Sequence, residues 1–266
     1  IYQYSPSGNT WRKWTSIIAG SASSGGHFGT SVAIGNRGAV FASPFMTSYV
    51  GETGLGIAYH FPDGIDGDWQ RDIRAPVPVI AERGIIAPGD GGSGSAVPYF
   101  GRGLAASGNY ALVADPEHSM LYWFHRADAG SSWEEQGLLM PPDDGGGPAD
   151  DFGLYVEMLH DVAIVGLPDA GTGGEAVVYH RDGTTWTLEQ TLVPTTTSAE
   201  YGAAIAIERA DDGSTWCAVG DTLGGATATA SGVVHVYRQA ASGDFELQAV
   251  IDNDTYVLGN FSRYGH

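Results

Sequence analysis

Five aromatic-glycine pairs recur along the chain: Phe28-Gly29, Phe100-Gly101, Phe152-Gly153, Tyr201-Gly202 and Tyr264-Gly265. Behind each of the first four comes the same series of short runs, rich in Val, Ile, Tyr and Trp and divided by Gly, Pro, Asn and Asp. Runs of this length, bounded by those residues, are strand signals. The clearest copy spans residues 152–194 and reads as strands at 154–158, 162–166, 176–180 and 186–192. Its turns fall at His160-Asp161, at residues 168–174 and at Asp182-Gly183. A recurring four-strand meander restricts the fold more than any other property of this chain. One such sheet cannot bury both of its faces alone, so its copies must stack.

The copies align run by run. First runs lie at 31–34, 103–106, 154–158 and 203–207, and aromatic third runs at 56–61, 121–124, 176–180 and 233–237. The fourth run opens on Trp69, Trp133, Trp186 or Phe245. Residues 1–20 fit only the second half of the unit, and Tyr264-Gly265 only the start of another. The chain therefore divides into a half blade at 1–20, blades at 27–80, 99–142, 151–194 and 200–251, and the start of a further blade at 252–266. Stacking around an axis lets each sheet cover its neighbour and leaves only short edges. The expected fold is an all-β propeller of four-stranded antiparallel blades, forming one domain over residues 1–266. Residues 76–98, rich in Gly and Pro, read as a long loop between the first two whole blades.

These units resemble FG-GAP repeats, the blades of integrin α-subunit propellers. The aromatic-glycine pairs carry the resemblance, with the GAP-like ends Ala42-Ser43-Pro44, Ala114-Asp115-Pro116, Gly166-Leu167-Pro168 and Val219-Gly220-Asp221. The resemblance implies a ring of about seven blades. This chain would then be an arc of such a ring, or a fragment of a longer protein. It also implies a non-enzymatic, extracellular or cell-surface module for structure or adhesion, binding protein or glycan through its loops. A lectin-like carbohydrate-binding propeller, or the accessory propeller of a larger secreted enzyme, are the alternatives. Some blades of that family bind calcium through a DxDxDG loop between the first and second strands. The corresponding turns here, at 35–38, 107–109, 159–161 and 208–214, lack that pattern.

Composition narrows the partners. The formal net charge is −19, and Lys13 is the only lysine. Such a surface repels nucleic acid and anionic membrane, since counterion release needs cationic side chains. The expected partners are another protein, the remainder of a parent chain, or glycan, with no nucleic acid and no membrane insertion. No run approaches the ~18 apolar residues of a membrane-spanning helix. Cys217 is the only cysteine, so no internal disulfide forms, and its apolar neighbours mark it as a small core residue.

Catalytic signatures are absent: the chain has no GxSxG and no HExxH. Residues 89–94 match GxGxxG but lead into a strand rather than a helix, which makes them linker. His60 and His180 hold equivalent places at the end of the third run and read as structural or surface residues. The aromatic run Tyr122-Trp123-Phe124 is expected to pack between blades, as alternation demands. No cofactor is expected beyond calcium. The best-spaced carboxylates for it are Asp63, Asp66 and Asp68, in an outer turn, with backbone carbonyls completing the oxygen set. Asn253 and Asn260 head two N-glycosylation sequons.

Overall fold

A computed structural model describes residues 2–5, 8–13, 27–35, 38–44, 57–61, 85–86, 99–128, 131–142, 151–195, 200–224 and 232–252. Asp63, Asp66, Asp68, Asn253 and Asn260 lie outside these described residues, as do residues 89–94.

Short alternating runs separated by tight turns give meanders, and the described strands follow that rule. A hairpin of β1 (Tyr2–Ser5) and β2 (Thr10–Lys13) comes first. The first blade holds β3 (Val32–Gly35), β4 (Gly38–Ser43), β5 (Ile57–Phe61) and β6 (Ile85–Ile86). The second holds β7 (Leu104–Ser107), β8 (Tyr110–Asp115), β9 (Met120–His125) and β10 (Glu134–Leu139). The third holds β11 (Tyr155–Leu159), β12 (Val162–Leu167), β13 (Glu175–Asp182) and β14 (Thr185–Leu192). The fourth holds β15 (Tyr201–Arg209), β16 (Thr215–Asp221), β17 (Val233–Gln239) and β18 (Phe245–Asp252). Each blade is a four-stranded antiparallel sheet with its strands in chain order. The first strands β3, β7, β11 and β15 lie beside one another from blade to blade. The sheets are thus arranged as propeller blades, with those first strands innermost.

One strand falls where a loop is expected. Within the 76–98 stretch, Ile85 and Ile86 pair with Tyr59 and Ala58 as the outer strand of the first blade. Two apolar residues amid Gly and Pro are too few for alternation to reveal a strand. Trp69, the expected start of that strand, lies outside the described residues.

The second strands show why blades must stack. In β12 every residue is buried. Ala163 and Val165 join a core shared with Ala105, Leu112, Ala114 and Trp123 of the second blade. Val162 and Ile164 face the other way, into a core with Tyr201, Cys217, Val219 and Tyr237 of the fourth. A period of two in side-chain direction makes one strand serve two interfaces. Tyr122 and Phe124 point to one interface and Trp123 to the next, as expected for the aromatic run. Cys217 is buried, and burial pushes its thiol up to about 12, so it packs as a hydrophobe.

The aromatic-glycine pair is the joint between blades. Phe100, Phe152 and Tyr201 are fully buried, each in the core toward the preceding blade. The glycines behind them are required by geometry. Gly153 sits at φ +85, and a Cβ there would come within 2.8 Å of Ala114 Cβ in the preceding blade.

In the last joint the Tyr201 and Tyr237 hydroxyls share a buried hydrogen bond of 2.6 Å. Tyr237→Phe leaves the Tyr201 hydroxyl buried and unsatisfied, which is expected to cost about 1–3 kcal/mol in urea or thermal unfolding. Unchanged stability would show that the pair contributes nothing to the joint. Among the described residues, no helix is long and apolar enough to cross a membrane.

Candidate functional site

The first-to-second-strand turns of the second and third blades lie beside inner-strand residues of the first and fourth. There they enclose a cleft of about 890 Å³. It draws on all four whole blades: Val32 and Ile34 from the first, Leu104 and residues 106–110 from the second, Glu157 to Asp161 and Arg181 from the third, and Ile207 with Glu208 from the fourth.

Register defines what is special about the third blade. The inner hairpins close on Gly35↔Gly38, Ser107↔Tyr110 and Leu159↔Val162. Two residues before each closing position stand Ala33, Ala105 and Glu157. The first two are buried alanines, whereas Glu157 keeps an exposed face toward the cleft. Protein surrounds its carboxyl on the other sides, and the loss of water raises its pKa above the ordinary 4.5. No hydrogen bond or ion pair holds Glu157 among the described residues.

The turn itself repeats this contrast. The second blade places Gly108, at φ 60, where the third places His160 at φ 54. Histidine tolerates the left-handed region better than most side chains. Its use here sets an imidazole on the cleft where a neighbouring blade has no side chain. The His160 backbone N–H donates to the Ser107 hydroxyl at 2.9 Å, which ties the two turns together.

Arg181 comes from the end of β13. Its guanidinium lies 3.7 Å above the Tyr110 ring, donates to the Asp161 carboxylate and donates to the Gly183 carbonyl at 2.8 Å. Its backbone N–H also reaches the Asp161 carbonyl, at 2.8 Å. The second blade has the same backbone bond, from Arg126 to the Asn109 carbonyl at 3.1 Å. The arginine is therefore a repeated blade element, and in the third blade it also clamps the second through Tyr110.

The arrangement supplies one accessible carboxyl with a raised pKa, an imidazole, an anchored hydroxyl and an apolar wall that includes Ile34, Met158 and Ile207. That set can accept a proton and receive hydroxyl-bearing ligands. Among the described residues no group of three or more His, Cys, Asp or Glu could hold a metal ion. His180, read from sequence as a structural or surface residue, stands 3.7 Å from Glu189, with both side chains more than two-fifths exposed. That is a surface pair, well suited to its structural reading.

Sequence reasoning missed Glu157, His160, Ser107 and Arg181. Two signals were available: a lone acid in an apolar inner strand, and the repeated pairs His125-Arg126 and His180-Arg181.

No family model matches the chain, and no curated protein matches it. Solved structures do. One, from Bacteroides uniformis ATCC 8492, provisionally named a 6-phosphogluconolactonase, is 13% identical over 82% of this chain and 55% of its own, with a TM-score of 0.47. A protein from Bacteroides fragilis NCTC 9343 with the same provisional name is 15% identical over 81% and 54%, with a TM-score of 0.46. The periplasmic gluconolactonase of Pseudomonas aeruginosa is 9% identical over 94% and 77%, with a TM-score of 0.47. The chain spans about half the length of the first two. These findings correct two expectations. The three structures above are named for lactonases and not for integrin-type FG-GAP propellers, against the expected resemblance; within this chain the aromatic-glycine repeat is a blade joint. They likewise overturn the expected non-enzymatic role in structure or adhesion, which rested on that resemblance and on missing linear motifs. A site assembled from four blades leaves no contiguous motif to find.

Proposed function

We propose that the axial cleft is the active site of a hydrolase that opens a small, hydroxyl-rich cyclic ester, a sugar lactone, with Glu157 as general base. The carrying observation is the Glu157 carboxyl, open to the cleft, unpaired among the described residues and raised in pKa by desolvation. A carboxyl so placed has a basicity closer to working pH than an ordinary glutamate.

The step balances with water alone. Glu157 takes a proton from water as the hydroxyl oxygen bonds to the lactone carbonyl carbon. The ring C–O bond then breaks, the departing alkoxide takes the proton back from Glu157, and a hydroxy acid leaves. Ser107 and His160 stand on the cleft wall as hydrogen-bond partners for substrate hydroxyls. Sugar lactones occur in the names of the propellers above, and this selects the first substrates to try.

The test is an assay of unphosphorylated sugar lactones, corrected for spontaneous opening, across pH 4 to 8. A base whose pKa is raised loses its charge earlier as pH falls. kcat/KM is therefore expected to rise with pH, with the midpoint of the acid limb above the ordinary glutamate value of 4.5. No turnover above the spontaneous rate, or a flat profile, would sink the reading.

A further inference from the structure

We propose that the cleft is selective by charge, taking uncharged sugar lactones and rejecting those that carry a phosphate. This rests on the hydrolase reading above and deepens it. The ionisable side chains lining the cleft are Glu157, Glu208, Asp161, His160, Arg181 and Tyr110. Arg181 is the single Lys or Arg among these described lining residues, and it is already committed. One end of its guanidinium serves Asp161, the other serves the Gly183 carbonyl, and its face rests on Tyr110. Its Nε is buried and unreachable, and its side chain is only 9% exposed.

Phosphate recognition uses exposed guanidinium or ammonium donors, or a row of backbone N–H groups at a helix N-terminus. The cleft's described lining offers none of these. The Asp161 charge is balanced by Arg181, whereas Glu157 and Glu208 have no cationic partner among the described residues. Glu208 spends one carboxyl oxygen on the Arg209 backbone N–H at 3.1 Å and keeps its charge at the cleft wall. A phosphate monoester carries a charge of about −1.5 to −2 at neutral pH. It would enter a space held by two unbalanced carboxylates, in a chain of net charge −19. Hydroxyl groups meet no such cost, because carboxylates accept hydrogen bonds from them.

The experiment compares kcat/KM for a hexonolactone and its 6-phosphate at pH 8, in low and in high sodium chloride. The neutral lactone is expected to be favoured by about tenfold or more at low salt, narrowing as salt screens the carboxylates. Glu208→Gln is expected to raise the phosphorylated substrate relative to the neutral one. Equal or better turnover of the phosphorylated lactone overturns the selectivity while leaving the hydrolase reading intact. So does a preference that ignores both salt and Glu208→Gln. Absence of turnover on both lactones overturns the hydrolase reading instead. Charge selection is then read by saturation-transfer NMR with sorbitol and sorbitol 6-phosphate. Preferential signal from sorbitol, reduced by a bulky Ser107→Trp block of the cleft, supports it. Preference for the phosphate, or no signal from either, overturns it.

Discussion

Glu157→Gln is expected to lower kcat/KM on a sugar lactone by about 10²–10⁴-fold, the usual contribution of a positioned general base. The substitution keeps the shape of the side chain and removes only its ability to take a proton. Folding should not suffer. Glu157 makes no hydrogen bond or ion pair among the described residues, and its surroundings disfavour the charged form. The variant is therefore expected to be no less stable at pH 8, where the wild-type carboxyl is charged. Circular dichroism melts of the two proteins check this beside the assay. The surface variant Glu189→Gln, beside His180, is the matched control and should keep full activity. A Glu157→Gln protein with wild-type rate and wild-type stability would remove the base from the mechanism.

Phe152→Ala is the largest structural change we expect. The ring is fully buried, packs edge-on against Tyr179 at 6.5 Å, and fills the core between the second and third blades. Deleting it leaves a cavity that the facing sheets cannot close, because Gly153 behind it already brings the backbones into contact. The expected loss is about 3–5 kcal/mol. For a chain of this size that means a fall in Tm of roughly 6–20 °C. A loss below about 1 kcal/mol would show that the aromatic-glycine joint is not what couples the blades. Because β11 begins three residues later and carries Glu157, the same variant should lose activity at temperatures where wild type retains it.

The blades were legible because their determinants are local. The third copy reads as strands at 154–158 and 162–166, and the structure places them at Tyr155–Leu159 and Val162–Leu167. Alternation and turn residues act over a handful of positions, so a short window contains the whole signal. The outer strand of the first blade escaped for the opposite reason. Ile85-Ile86 becomes a strand only by pairing with Ala58 and Tyr59, far back in the chain. The candidate site was less legible still. Glu157 was visible as an acid in an apolar run, but nothing along the chain says whether that position faces a buried joint or open water. In Ala33 and Ala105 the equivalent position is buried. His60 and His180 drew attention as equivalent positions, while Arg181, which follows His180 and carries the packing against Tyr110, did not.

By itself the sequence determined the unit: four short strands, an aromatic-glycine joint, and the need for copies to stack. Side-chain alternation and backbone sterics at glycine act between near neighbours, so they are written in order along the chain. Only the tertiary structure decided the cleft. Val32, Tyr110, Glu157, Arg181 and Glu208 are distant in sequence and meet because radial packing brings the inner hairpins of four blades to one axis. Whether a carboxyl there is paired, desolvated or free depends on which blade faces it, and that is a property of the packed molecule alone.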